Sequence, residues 1–244
     1  MAASAPTVLA TSIGFDSRGR GPYDWAPGPV FDLAVELAGS PAQPRLCYLG
    51  TAAGDDPARV AGVYGAFAGS AVRVSHLSLF PMPTVADLRA HLLAQDVVWV
   101  GGGSVANLLA VWRVHGLDEV FREAWAAGVV LGGVSAGSLC WHVGGTTDSY
   151  GPQLRPVTDG LALIPASTSV HHDSEPQRGP LYRRLVADGT LPPGHATEDG
   201  VGLVYRGTEL VEAVADRPGK SAHRVERGPD GTAVETRVRP RRLR

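Results

Sequence analysis

Ser135 stands in Gly133-Val134-Ser135-Ala136-Gly137, a G-x-S-x-G pattern that follows the apolar run at 129–134 and opens a helical pattern. In that setting the pattern reads as a nucleophile elbow, which lifts a serine hydroxyl above the end of a sheet. The glycines matter because a tight strand-to-helix turn crowds the backbone, and glycine has no Cβ to clash. The turn also aims the unpaired N–H groups of a helix N-terminus at developing negative charge. The same five residues suit a glycine-rich turn capped by a serine, so the pattern alone leaves nucleophile and cap open.

A serine hydroxyl is too weak an acid to attack a carbonyl unaided. It needs a general base, and the base needs an orienting carboxylate. Asp148 lies in Thr146-Thr147-Asp148-Ser149, and His171 and His172 lie in Ser169-Val170-His171-His172-Asp173. The chain order Ser, Asp, His is used by several α/β hydrolases. His171 follows a short β-branched run at 167–170, which places it at a strand end; His115 and His142 fall in helical patterns and read as packing or surface residues. Asp173 and Glu175 are competing carboxylates close to His171. Gly101-Gly102-Gly103-Ser104 has neither a Walker ending nor dinucleotide-site spacing. Its backbone N–H groups, Gly102 and Gly103 above all, could supply half of an oxyanion hole, with Ala136 N–H as the other half.

The elements that must position these groups alternate along the chain. Apolar or β-branched runs at 7–13, 45–50, 72–77, 96–100 and 129–134 read as strands. Helical patterns follow at 28–38, from Asp55-Asp56-Pro57 onward, to about Ala94 after a capping box at Thr84-Val85-Ala86-Asp87, and at 104–115 and 117–127. This rhythm predicts an α/β fold, a mostly parallel sheet with helices on both faces and its ligand site outside the carboxyl ends of the strands. From about residue 145 the pattern loosens into loops and short strands, with a helix at 178–187 and a hairpin formed by 201–205 and 209–215. A single domain over 1–244 is expected, with a basic tail at 237–244 read as a disordered, solubilising end.

Composition narrows the function classes. A formal net charge of −2 gives no pull toward nucleic acid or an anionic membrane, and no stretch reaches the roughly 18 apolar residues that cross a bilayer. Two cysteines, Cys47 and Cys140, each in an apolar stretch, argue against a disulfide framework and suit a reducing, cytoplasmic setting. His171-His172-Asp173 lacks any companion metal-ligand spacing, so neither metal nor other cofactor is expected. A two-fold homodimer is the commonest closed assembly, though no interface is legible.

Taken together, Val98-Trp99-Val100-Gly101-Gly102-Gly103-Ser104, Gly133-Val134-Ser135-Ala136-Gly137, Thr146-Thr147-Asp148 and His171 resemble the successive motifs of the peptidase E (aspartyl dipeptidase) family. The resemblance spans roughly residues 45–215. It implies a flavodoxin-like fold similar to class I glutamine amidotransferases, with Ser135 as nucleophile, His171 as base and Asp148 as third member. It also implies a serine-type exopeptidase acting on short peptides, with N-terminal aspartate as the family's known preference. Ser104 and the pair Ser169-Val170 depart from residues the family often carries there, which weakens the transfer of that preference. An acidic substrate side chain would call for a bidentate cation: Arg178 is the first candidate and Arg155 the second. Glu198 or Asp199 is expected to receive the substrate's α-amino group. Two other readings keep the same residues: an isopeptide hydrolase of the cyanophycin-degrading kind, and a non-catalytic amidotransferase-like binding module. A general esterase fits less well, because its base usually follows the nucleophile at a greater distance.

Overall fold

The structure is a computed structural model that describes Ala3 and residues 5–244. Eight strands form the main sheet. Thr7–Thr11 lies at its centre, flanked in parallel by Val130–Val134 and then by Val97–Val100, Arg45–Leu49 and Arg73–His76. On the other side Val201–Arg206 and Glu209–Ala215 add an antiparallel hairpin, and Arg241–Arg242 closes that edge.

Strand residues alternate between two faces, as a period of two dictates. Leu46, Tyr48, Val97 and Trp99 pack with the helices Pro29–Leu37 and Pro57–Ala66 on one face. Cys47, Leu49, Val98 and Val100 pack with Leu88–Leu93, Val105–Val114 and Leu117–Ala126 on the other. Burial on both faces explains why these strands are short continuous apolar runs. The fold is therefore α/β with helices on both faces, as the sequence pattern predicts, and the strand limits agree to within two residues.

Several expectations are corrected. The helix Leu88–Leu93 is capped by Asp87, which accepts from Ala90 N–H, while Thr84 bonds Ser78 instead. His142 opens the strand His142–Thr147 rather than sitting in a helix. The region after 145 is not loose: six strands form a second sheet, in the order Ala233–Val238, Ala222–Arg227, Gly194–Thr197, Ile164–Ser169, His142–Thr147, Arg155–Val157. Glycines and polar residues dilute the hydrophobic signal in these strands, which therefore read as loop. The helix Arg178–Ala187 covers this sheet through Leu181, Tyr182, Leu185 and Val186. The basic tail is ordered, with Arg241–Arg242 paired to Val214 and Ala215 and Leu243 buried. Cys47 and Cys140 are buried free thiols, and no helix among the described residues is long and apolar enough to cross a membrane.

A polar chain also joins the two sheets. His142 Nδ1–H donates to the Ser138 carbonyl at 3.0 Å, and Tyr205 O–H donates to His142 Nε2 at 3.4 Å. Tyr205 Oη in turn accepts from His195 Nδ1–H at 3.2 Å. Burial pushes His142 from the ordinary 6.5 down to about 4, and His195 falls to about 4 for the same reason. Between pH 6.5 and 4 the unfolded chain therefore binds protons that the folded chain refuses, so stability falls as pH drops through that window. Fully developed, His142 alone accounts for roughly 3 kcal/mol. Urea midpoints measured at pH 7 and pH 5 should show this loss, and His142→Gln, which cannot titrate, should lose less stability over the same interval. Equal losses in the two proteins would assign the acid sensitivity elsewhere.

Candidate active site

Ser135 occupies the turn between Val130–Val134 and the short helix Ala136–Leu139, with φ 59° and ψ −115°. A non-glycine residue held in that region is strained, and such strain gathers at functional sites. The surroundings enforce it. A Cβ on Gly137 would lie 2.2 Å from the Val100 carbonyl oxygen, so the helix can start only where glycine lets it touch the neighbouring strand end. The Ser135 N–H donates to the Thr11 carbonyl at 3.0 Å, which fixes the turn to the central strand.

Val100 and Gly133 are aligned in register, so Gly101-Gly102-Gly103 leaves its strand directly beside the elbow. A Cβ on Gly102 would sit 3.2 Å from Ser135 Cβ and 3.8 Å from its Oγ. Among the described residues, no other group of the chain accepts from the N–H of Gly102, Gly103 or Ala136. Unpaired backbone donors next to a nucleophile's hydroxyl are the groups an oxyanion hole requires.

His171 projects from the end of Ile164–Ser169, itself at positive φ, 54°. That strand runs parallel to Gly194–Thr197 on one side and His142–Thr147 on the other. The loops that follow carry Asp199 and Asp148, so the imidazole emerges between two candidate carboxylates. It bonds Asp199: Nδ1 lies 2.5 Å from Asp199 Oδ1, which leaves Nε2 for the serine. Asp148 makes no hydrogen bond to His171, and the structure corrects the pairing expected from chain order. Chain order could not see this, because Asp199 lies 28 residues beyond the histidine and is close only through strand adjacency.

The histidine loop is itself held. Its backbone N–H donates to Ser12 Oγ at 3.2 Å, and that hydroxyl lies 2.8 Å from Thr197 Oγ1. Asp173 accepts the Asp199 N–H at 2.8 Å and pairs with Lys220. Burial works to raise the Asp173 pKa, but the Lys220 ammonium and the Asp199 amide outweigh it and hold the carboxyl below its usual range. Asp173 thus orients the segment that presents Asp199 and does not touch the imidazole.

Ser135 lies at the seam of two cavities. A polar one of about 330 Å³ is lined by Ser104, Asp148, His171, Glu175 and Arg178 as well as Ser135. The Ser135 hydroxyl has no hydrogen-bond partner among the described residues; it lines the same cavity as His171, and hydrogen bonds of such pairs commonly tighten only when substrate is bound. The other cavity, about 340 Å³, lies on the glycine side and is aromatic, with Arg59 as its one charged side chain.

Arg178 reaches the site but is 3 % exposed and committed: Nε donates to Glu175 at 2.8 Å and Nη1 to the Thr146 carbonyl at 2.6 Å. Glu175 is thereby the partner of Arg178 rather than of His171. Glu198 turns away, accepting from Ser221 N–H at 3.0 Å and lying 3.0 Å from His223 Nε2. Arg155 lies on an outer strand of the second sheet. Arg59 was not marked by sequence; it belongs to the helix Pro57–Ala66, and only the fold brings that helix to the glycine turn, where Arg59 bonds the Gly102 carbonyl at 3.0 Å.

This geometry ranks two substitutions. Asp199→Asn, which removes the partner that sets the imidazole tautomer, is expected to lower kcat for hydrolysis by about a thousandfold or more. Asp148→Asn should cost less than about tenfold. Steady-state kinetics on both, with folding checked by circular dichroism, would reverse the pairing if the order came out the other way.

Comparison with known proteins gives the family. The family model of Peptidase family S51 matches residues 29–213, which include both glycine turns, His171 and Asp199. An uncharacterized peptidase of Bacillus subtilis (strain 168), YgaJ, is 41 % identical over 183 residues, covering 75 % of this chain and 78 % of its own length. Two crystal structures share the fold at lower identity. A candidate peptidase E protein from Listeria monocytogenes EGD-e aligns with TM-score 0.59 and 19 % identity over 85 % of this chain and 98 % of its own. A peptidase from an acI-B1 actinobacterium aligns with TM-score 0.66 and 17 % identity over 97 % and 95 %. A match to three quarters of the chain, by family model and by a close relative alike, settles the assignment: this protein belongs to peptidase family S51, a family of serine peptidases.

Proposed function

We propose that the chain hydrolyses short peptides through Ser135, His171 and Asp199. Ser135 Oγ bonds to the scissile carbonyl carbon while His171 Nε2 takes its proton. Asp199 holds Nδ1–H and stabilises the imidazolium. The carbonyl oxygen becomes an oxyanion held by the N–H groups of Gly102, Gly103 and Ala136. The C–N bond then breaks as His171 returns the proton to the leaving amine, and water cleaves the acyl-serine by the same route in reverse. The observation that carries this reading is the strained Ser135 elbow sharing one cavity with an imidazole already bonded to a carboxylate.

Two cavities of about 330 and 340 Å³ on either side of one hydroxyl suit a substrate of few residues rather than a long chain. That favours exopeptidase or dipeptidase action. The aspartate preference that the resemblance implies draws no support from Arg178, whose guanidinium is already shared between Glu175 and Thr146. Buried free thiols suit a cytoplasmic setting.

A fluorophosphonate probe should label the wild-type protein at neutral pH, and peptide mapping should place the label on Ser135. Ser135→Ala should abolish both labelling and turnover, with thermal unfolding unchanged within a few degrees. Wild-type turnover in that variant would remove the serine mechanism, and labelling at another residue would move it.

A further inference from the structure

The cavity on the glycine side of Ser135 has a composition that the catalytic steps do not use. Phe15, Tyr23, Trp25, Tyr48 and Trp99 line it together with Arg59, around about 340 Å³. The rings are mutually supported. Phe15 stacks on Trp25 at 5.0 Å with planes 5° apart, and Tyr23 meets Trp25 edge to face at 5.2 Å. Phe15 also stacks on Phe31, which abuts Trp99. Arg59 is fixed between its bond to the Gly102 carbonyl and the Tyr23 ring, whose centroid lies 5.7 Å from the guanidinium carbon. Arg59 is thereby held in the lining beside the rings, and a guanidinium is a planar group on which an aromatic ring can stack.

The direction of the reaction decides which half of a substrate enters. His171 must reach the leaving amine to protonate it, so the leaving group lies on the side of the polar cavity that His171 lines. The acyl half lies across Ser135 from it, toward the glycine turn and the ring-lined cavity. An aliphatic pocket would accept many side chains of suitable volume. Preassembled rings and a guanidinium plane instead favour a flat side chain, which gains stacking in addition to burial.

We infer that this cavity, walled by Phe15, Tyr23, Trp25 and Arg59, is the acyl-side specificity pocket and selects peptides whose cleaved bond follows an aromatic residue. The inference rests on the proposed role of Ser135. A carboxylate side chain would lose its hydration among five rings to meet one guanidinium already engaged with a backbone oxygen and a ring.

The test is a panel of Phe-Leu, Tyr-Leu, Ala-Leu and Asp-Leu dipeptides, assayed beside fluorophosphonate labelling of Ser135. The aromatic pair should show kcat/KM at least about tenfold above Ala-Leu and Asp-Leu. Trp25→Ala should lower kcat/KM about tenfold more for Phe-Leu than for Ala-Leu, while Ser135 still labels; Tyr23→Ser serves as a second variant should Trp25→Ala unfold. Labelling without faster cleavage of the aromatic pair, cleavage of none included, overturns the pocket and leaves the nucleophile standing. Preference for Asp-Leu, or equal losses on Phe-Leu and Ala-Leu in the variants, overturns it too. Failure to label Ser135 in folded protein strikes the catalytic reading instead.

Discussion

Two consecutive residues at the end of the central strand hold the two halves of the site. The Thr11 carbonyl accepts the Ser135 N–H, and the Ser12 hydroxyl accepts the His171 N–H. Ser12 also bonds Thr197 through its side chain and, through its backbone, Val201 and Gly200, on either side of which the chain passes from one sheet to the other. The nucleophile belongs to the first sheet, the imidazole and its carboxylate to the second. Their relative position is set at this seam rather than within either sheet, so the geometry of catalysis is a property of how the sheets are joined. Side chains of both sheets share one buried cluster behind the seam, which resists their sliding apart.

The second sheet shows a division that the first does not need. Three parallel strands end at a common level, and the middle one carries His171. Each flanking strand is followed by an acidic residue, yet only Asp199 is turned to the ring, because Asp173 and Lys220 hold its loop from behind. Asp148 remains in the wall of the polar cavity, beside the Glu175–Arg178 pair. One strand topology thus yields an orienting carboxylate on one side and an acidic pocket wall on the other.

What was legible in the sequence follows from locality. Ser135, the glycine turn and His171 lie in short motifs whose chemistry needs adjacent residues, and the strands Thr7–Thr11, Arg45–Leu49, Val97–Val100 and Val130–Val134 are largely apolar runs buried on both faces. The second sheet was hidden because its strands hold Gly144, Gly145, Ser167, Thr168 and Ser169; the buried hydroxyls of Ser167 and Ser169 are compensated by hydrogen bonds with Tyr182 and Thr146. The pairing of Asp199 with His171, in place of the α-amino role expected for it, and the presence of Arg59 were hidden for a different reason: each depends on an element pairing, and no spacing along the chain encodes which strands become neighbours. The basic tail misled because charge suggests solvent, whereas Arg241 is paired with Glu212 and Leu243 supplies the buried anchor.

The closeness of Gly137 to the Val100 carbonyl has a consequence for how such a protein can diversify. The elbow helix and the glycine turn are in backbone contact, so hydroxyl and oxyanion donors form one rigid block that admits no larger residue without displacing the other half. The walls are under no such constraint. Residues 14–25, which include one strand of a small hairpin, and residues 148–154 lie outside the two large sheets, and they can be rewritten without touching that block. Descendants of one ancestral chain could therefore come to prefer unrelated peptides while their reacting atoms stayed where they were.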